Sequence, residues 1–194
     1  MNEKRRLGLA LCGSYCSYDK LFAAAEGLSR KYELVPIMSD TAAETDSRFG
    51  SASENLRRLK ELCGRSVITT VAEAEPLGQK TPVEALLIAP CTGSTLARLS
   101  LGLTDSAVAM AAKAHLRNGR PLILALSTND GLSGSAENIA RLLNRKNVYF
   151  VPFGQDDAAG KPYSLQADFS LLSETVEAAL RGWQLQPLLR QKQP

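Results

Sequence analysis

Four short runs of hydroxyl, amide and glycine residues carry the chemistry legible in this chain. They are Gly13-Ser14, Ser39-Asp40-Thr41, Thr92-Gly93-Ser94-Thr95 and Ser127-Thr128-Asn129-Asp130. Each follows a short apolar run that reads as a buried strand. Small residues let a ligand approach the backbone, and hydroxyls beside free N–H groups at helix starts suit a phosphate. The same residue types also cap helices, so any one of these runs has a purely structural explanation. Four on one rim favour a phosphorylated ligand. No GxGxxG follows a strand and no GxxxxGK[ST] is present, so dinucleotide binding and P-loop hydrolysis are poorly supported. A mononucleotide such as FMN, held by hydroxyl-rich loops, fits better.

Other chemistries are excluded by composition. One histidine, His115, cannot build a multi-histidine metal site, and Cys12, Cys16, Cys63 and Cys91 contain no CxxC pair, so no metal is expected. These cysteines read as reduced thiols of a cytoplasmic protein, largely in the core. Lys and Arg number 23 against 20 Asp and Glu, a small surplus with no basic stripe, which argues against nucleic acid and membrane surfaces. The apolar run after Met1-Asn2-Glu3-Lys4-Arg5-Arg6 is too short for a signal sequence, and no run reaches the roughly 20 apolar residues of a membrane span.

The elements that must position these runs alternate. Apolar strands are expected at residues 7–12, 34–38, 85–89, 121–126 and 148–152, with a weaker β signal at 66–71. Helices are expected at residues 18–31, 53–62, 135–144 and 171–183. Residues 94–118 read as one or two helices, with Gly102 as a stop and Asp105 as the next N-cap. Strands buried on both faces and alternating with helices predict a single three-layer, doubly wound parallel sheet of the flavodoxin-like, Rossmann-like class. Its 194 residues suit one domain over residues 1–183, with a polar surface tail at 184–194.

The strand-end motifs resemble a known family. Gly8-Leu9-Ala10-Leu11-Cys12-Gly13-Ser14 resembles the opening of the flavoproteins that include cysteine decarboxylases and flavin prenyltransferases. So does Ala89-Pro90-Cys91-Thr92-Gly93-Ser94-Thr95-Leu96-Ala97-Arg98-Leu99 with Gly102-Leu103-Thr104-Asp105, and Asn129 stands where that family has an asparagine. Within it, Thr45-Asp46-Ser47-Arg48-Phe49-Gly50, Ala74-Glu75-Pro76-Leu77-Gly78 and Met110-Ala111-Ala112-Lys113-Ala114 resemble the B-subunit family of dipicolinate synthases. Thr104-Asp105-Ser106, Ser127-Thr128-Asn129-Asp130 and Pro152-Phe153-Gly154-Gln155-Asp156-Asp157 do too.

The resemblance implies an oxidoreductase subunit in the mother-cell cytoplasm of a sporulating bacterium. With the A subunit of dipicolinate synthase it would oxidise dihydrodipicolinate, a small dicarboxylate, to dipicolinate. It implies FMN on this chain, NADP on the A subunit, and a homo-oligomer, trimeric or dodecameric as in flavoprotein relatives. The alternatives are an FMN-dependent decarboxylase or prenyltransferase, and a non-catalytic module that stabilises the A subunit. Two departures stand out: Ser94 replaces an asparagine usual in the flavin-binding turn, and no histidine precedes the third strand as in the decarboxylases.

For flavin, the candidate residues are Gly13, Ser14, Ser39, Thr41, Thr92, Gly93, Ser94, Thr95, Ser127 and Asn129. For substrate they are Arg48, as a bidentate clamp on one carboxylate, and Phe49, stacked on the ring. Lys113, Arg117 and Arg120 are weaker cationic candidates. Asp156 and Asp157 read as loop-orienting residues, and His115 as a helix-surface residue. Loss of hydride and proton requires a base, for which Asp130 is the weak candidate on this chain, the A subunit the other source.

Overall fold

The computed structural model describes residues 4–80 and 82–190. Five strands run parallel: β1 (Arg6–Leu11), β2 (Glu33–Met38), β3 (Ala85–Cys91), β4 (Leu122–Thr128) and β5 (Val148–Phe150), in the order β2-β1-β3-β4-β5. That is the flavodoxin-like order, with its topological switch between β1 and β3. β3 is buried along its whole length, as a strand covered on both faces must be.

The helices are α1 (Tyr18–Lys31), α2 (Asp40–Glu44), α3 (Ala52–Cys63), α4 (Val71–Ala74), α5 (Gly93–Leu101), α6 (Ala107–Leu116), α7 (Ala136–Leu143) and α8 (Leu172–Leu180). α1 and α8 pack together on one face of the sheet, and α6 covers β2, β3 and β4 on the other. α6 is lined by alanines because its backbone must lie close to the sheet and to the segment Glu75–Gly78. A Cβ on Gly78 would stand 2.7 Å from the Ala114 carbonyl oxygen.

Two short strands, β6 (Phe153–Gly154) and β7 (Leu165–Ala167), extend the sheet antiparallel, β7 pairing with Ser127 and Thr128 at the end of β4. At two and three residues they are too short to show a period in the sequence. Their position swings the loop between them over the carboxyl rim.

Several local expectations are corrected. Residues 66–71 form no strand: Ile68 makes an isolated bridge to Ile37, and the chain then turns into α4 through a capping box of Thr70 and Glu73. The region after β3 is two helices, the split falling at Gly102 as expected, in a left-handed conformation. The second is capped by Ser106 rather than Asp105, which instead pairs with Arg98 at 3.0 Å. His115 is not on a helix surface but is 0% exposed.

In the tail, Gln184 uses its side-chain amide to bond both backbone groups of Phe150, at 2.8 and 2.7 Å. The Leu188 carbonyl accepts from Phe153 N–H and the Arg190 N–H donates to Phe153. These bonds satisfy strand edges that would otherwise be open. Residues 191–194 of the expected tail lie outside the described residues.

Candidate functional site

The loops that follow β1, β2, β3 and β4 meet on the carboxyl rim and enclose two adjoining cavities. The larger, about 740 Å³, is lined by Gly13, Ser14, Thr92, Gly93, Ser127 and Asn129 together with Arg48 and Phe49. The smaller, about 280 Å³, is lined by Ser39, Thr41, Ser94 and Thr95 and shares Gly13 and Thr92 with the first. Every flavin candidate therefore reaches one of the two, and both substrate candidates reach the large one.

The small cavity lies among helix starts. Thr92 caps α5 by accepting from Thr95 N–H at 3.3 Å, and Ser39 and Ser106 cap α2 and α6 likewise, at 3.3 and 3.2 Å. The structural reading of these three hydroxyls thus holds, and it brings unpaired backbone N–H groups and positive dipole ends together. The hydroxyls of Thr41 and Ser94 have no partner among the described residues, and Arg98 closes the rim. Beneath it, Thr95 donates to Cys12 Sγ at 3.2 Å. Burial pushes the Cys12 thiol up to about 11 despite that bond, and raises Cys91 as well, so both are inert core thiols.

On the large cleft, Arg48 stands 4.9 Å from the Phe49 ring centroid. The ring therefore carries the guanidinium, a cation–π contact, rather than standing open on both faces for a substrate. No carboxylate pairs with Arg48 among the described residues. Its five donors face a cleft that offers a carboxylate the bidentate partner it needs.

The opposite wall comes from the segment between β6 and β7, of which only Asp156 and Asp157 stood out in the sequence. It brings Lys161, Tyr163 and Ser164 to the cleft, and β7 adds Gln166. Lys161 lies 3.7 Å from Asp156. Burial raises Asp156, but bonds from Ser164 and backbone N–H groups and the charge of Lys161 outweigh it and hold the carboxyl below the usual range. Asp157 accepts from Gly160 N–H at 2.9 Å and shapes the turn. The signal for this wall was slight, a Gly160-Lys161-Pro162 turn between strands too short to read.

The remaining candidates lie elsewhere. Asp130 lines neither cavity, and its Oδ1 accepts from Thr128 at 2.5 Å and Ser135 at 2.8 Å. Arg117 is 3.8 Å from Glu75, Arg120 donates to the Val83 carbonyl at 3.4 Å, and Lys113 lines neither cavity. His115 lies at the amino ends of the strands, its Nε2 2.8 Å from the Pro121 carbonyl oxygen and its Nδ1 without a partner. Burial lowers it to about 4, the Pro121 bond opposing and Arg120 adding to the effect. No group of His, Cys, Asp and Glu able to hold a metal occurs among the described residues, and no helix there is long and apolar enough to cross a membrane.

Residues 1–177 match the family model described as Flavoprotein. The chain belongs to the flavoprotein family. Within that family it is 42% identical to the dipicolinate synthase B subunit of Bacillus subtilis (strain 168), over 95% of this chain and 93% of that one. It superposes on a crystal structure of the dipicolinate synthase B subunit from Bacillus halodurans with a TM-score of 0.89 at 42% identity, covering 99% of this chain and 100% of the other. A dodecameric FMN-dependent decarboxylase from Escherichia coli O157:H7 aligns at a TM-score of 0.61 and 25% identity, over 76% of this chain and 79% of that one. The B-subunit resemblance drawn from scattered segments thus extends over nearly the whole flavoprotein chain.

Proposed function

We propose that this chain is the flavin-binding B subunit of a dipicolinate synthase, working with a separate A subunit in the mother-cell cytoplasm of a sporulating bacterium. The pair oxidises dihydrodipicolinate to dipicolinate and passes the electrons to NADP held by the A subunit. The observation that carries this reading is the 42% identity to a dipicolinate synthase B subunit over 95% of the chain.

The residues present fit FMN. The small cavity offers helix N-termini and the free hydroxyls of Thr41 and Ser94 to a phosphate, and the adjoining cleft is within the roughly 300–1,000 Å³ of ligand pockets. Ser94 supplies a hydroxyl where the wider family has an amide, so the donor survives the substitution. Bound there, FMN supplies a ring that accepts a hydride. This chain's own part is to bind and orient: Arg48 grips one carboxylate, and Asn129, with no side-chain partner, donates to the bound ring or substrate.

Asp130 is committed to two hydroxyls and Asp156 to Lys161 and Ser164, so in this reading the proton acceptor lies on the A subunit. The decarboxylase alternative weakens for a specific reason: the sole histidine is buried away from the cleft. Exposed Leu101, Leu103 and Leu143 give the ends of α5 and α7 an apolar surface suited to a trimeric or dodecameric assembly.

The test is to purify the chain by itself and with the A subunit, record visible spectra, and follow NADPH formation from dihydrodipicolinate. A flavin absorbance with activity only in the pair is expected. Full activity from the A subunit on its own would end the proposal, and a required but colourless chain would replace it with the non-catalytic, stabilising reading.

A further inference from the structure

A chain of hydrogen bonds runs from the surface into the large cleft. Lys20 Nζ donates to Gln166 Oε1 at 2.8 Å, Gln166 Nε2 donates to Ser17 Oγ at 3.2 Å, Ser17 and Ser127 hydroxyls are 2.8 Å apart, and Ser127 and Ser14 hydroxyls 2.6 Å apart. Ser17 is 0% and Ser127 6% exposed, so these hydroxyls answer to one another rather than to water.

The direction of the chain follows from donor and acceptor capacity. An ammonium has no acceptor, so the amide oxygen of Gln166 faces Lys20 and its NH2 faces Ser17. Ser17 Oγ therefore accepts, and its own proton goes to Ser127, the one oxygen in range. Its other neighbour, Cys16 Sγ, is 3.9 Å away and a weak acceptor. Ser127 then has Ser14 as its acceptor. The Ser14 proton is left over, with only Cys16 Sγ at 3.9 Å near it, on a residue that lines the cleft.

The geometry points to Ser14 as a fixed hydrogen-bond donor for a carboxylate in the large cleft, with Ser127, Ser17, Gln166 and Lys20 as the positioning residues that set its polarity. This rests on the dicarboxylate reading above and deepens it: Arg48 takes one carboxylate, and Ser14, a flavin candidate from the sequence, is reassigned to donate to the other. A ligand that presents only an N–H at that place leaves the Ser14 proton without an acceptor and so binds more weakly than a carboxylate.

The test is dipicolinate binding to the full chain by titration calorimetry, alongside picolinate, which has one carboxylate, and the dicarboxamide of dipicolinate. Ser14→Ala is expected to weaken dipicolinate about tenfold or more, the range for a bond to a charged group. Gln166→Glu inverts the chain. A carboxylate accepts from both Lys20 and Ser17, so Ser17, Ser127 and Ser14 all reverse and Ser14 turns an acceptor to the cleft. That variant should lose about as much dipicolinate affinity as Ser14→Ala, while the dicarboxamide, which can turn either its C=O or its NH2 toward Ser14, should change little.

In the Ser14→Ala background, Gln166→Glu should cost nothing further, because the route through Ser14 is already gone. An equal loss in both backgrounds would mean simple charge repulsion and overturn the proposal. So would unchanged dipicolinate affinity in a folded Ser14→Ala chain, verified by its melting curve. Wild-type binding of picolinate but not dipicolinate would end the dicarboxylate reading, while the Ser14 and Gln166 variants measured on picolinate still decide the donor assignment. Binding of neither acid overturns both.

Discussion

The two ends of the parallel sheet treat polar groups in opposite ways. At the amino ends, polar side chains are committed to backbone. Asn118 Nδ2 donates to the Gly78 and Ala114 carbonyl oxygens at 2.8 and 2.7 Å, Arg120 to Val83, and His115 meets Pro121. At the carboxyl ends, Arg48, Thr41, Ser94 and Asn129 keep donors that no described side chain or backbone group uses. One end holds the helices against the sheet, while the other holds capacity in reserve for a ligand. Substitutions at the first should therefore move stability and leave binding alone, and substitutions at the second should do the reverse.

The largest expected effect tests the committed end. His115 is depressed in the folded protein from 6.5 to about 4, so between those values the unfolded chain binds a proton that the folded one does not. Its contribution is present in full above pH 6.5 and is lost as pH falls toward 4, a change of about 3 kcal/mol. Urea unfolding at pH 7 and pH 4.5 should show this drop, and His115→Leu should lessen it by most of that amount. An equal pH dependence in the variant would place the histidine outside the core.

Next comes Gly78→Ala. Its methyl group would meet the Ala114 carbonyl at 2.7 Å, and the backbone must shift to admit it, at about 1–3 kcal/mol. The melting temperature should fall while flavin content per folded chain stays unchanged. Loss of flavin at unchanged stability would show that the two ends are not separate in this sense.

Arg48→Gln probes the other end. Losing a charge-assisted pair should weaken dipicolinate binding about tenfold or more, with stability unchanged within about 0.5 kcal/mol because the exposed guanidinium has no ion-pair partner among the described residues. The smallest effect belongs to the edge. Gln184→Ala should cost about 1 kcal/mol, seen in urea unfolding, since Phe150 loses two hydrogen bonds. No change in dipicolinate affinity should accompany it.

Much of the fold was readable because its determinants are local. Helix α1 begins and ends where the pattern places it, at Tyr18 and Lys31, and the parallel strands fall within a few residues of their apolar runs. The gathering of the four hydroxyl loops also followed from sequence, since a doubly wound parallel sheet places all its strand ends on one rim. What escaped were elements without a period. β6 and β7 were too short, residues 66–71 looked extended but make a single bridge, and Asp105 lost the cap to its neighbour Ser106.

By itself, then, the sequence determined the strand and helix pattern, the rim of small residues, and the single histidine that cannot build a multi-histidine metal site. Tertiary structure alone decided which residues meet across long separations. It buried His115, tied Asp130 to two hydroxyls, and set Gln166 beside Ser17, 149 residues away along the chain. The physical reason is that hydrophobic period and capping act over a few residues. The direction in which Ser14 points its proton depends on a lysine and an amide that only the closed sheet brings together.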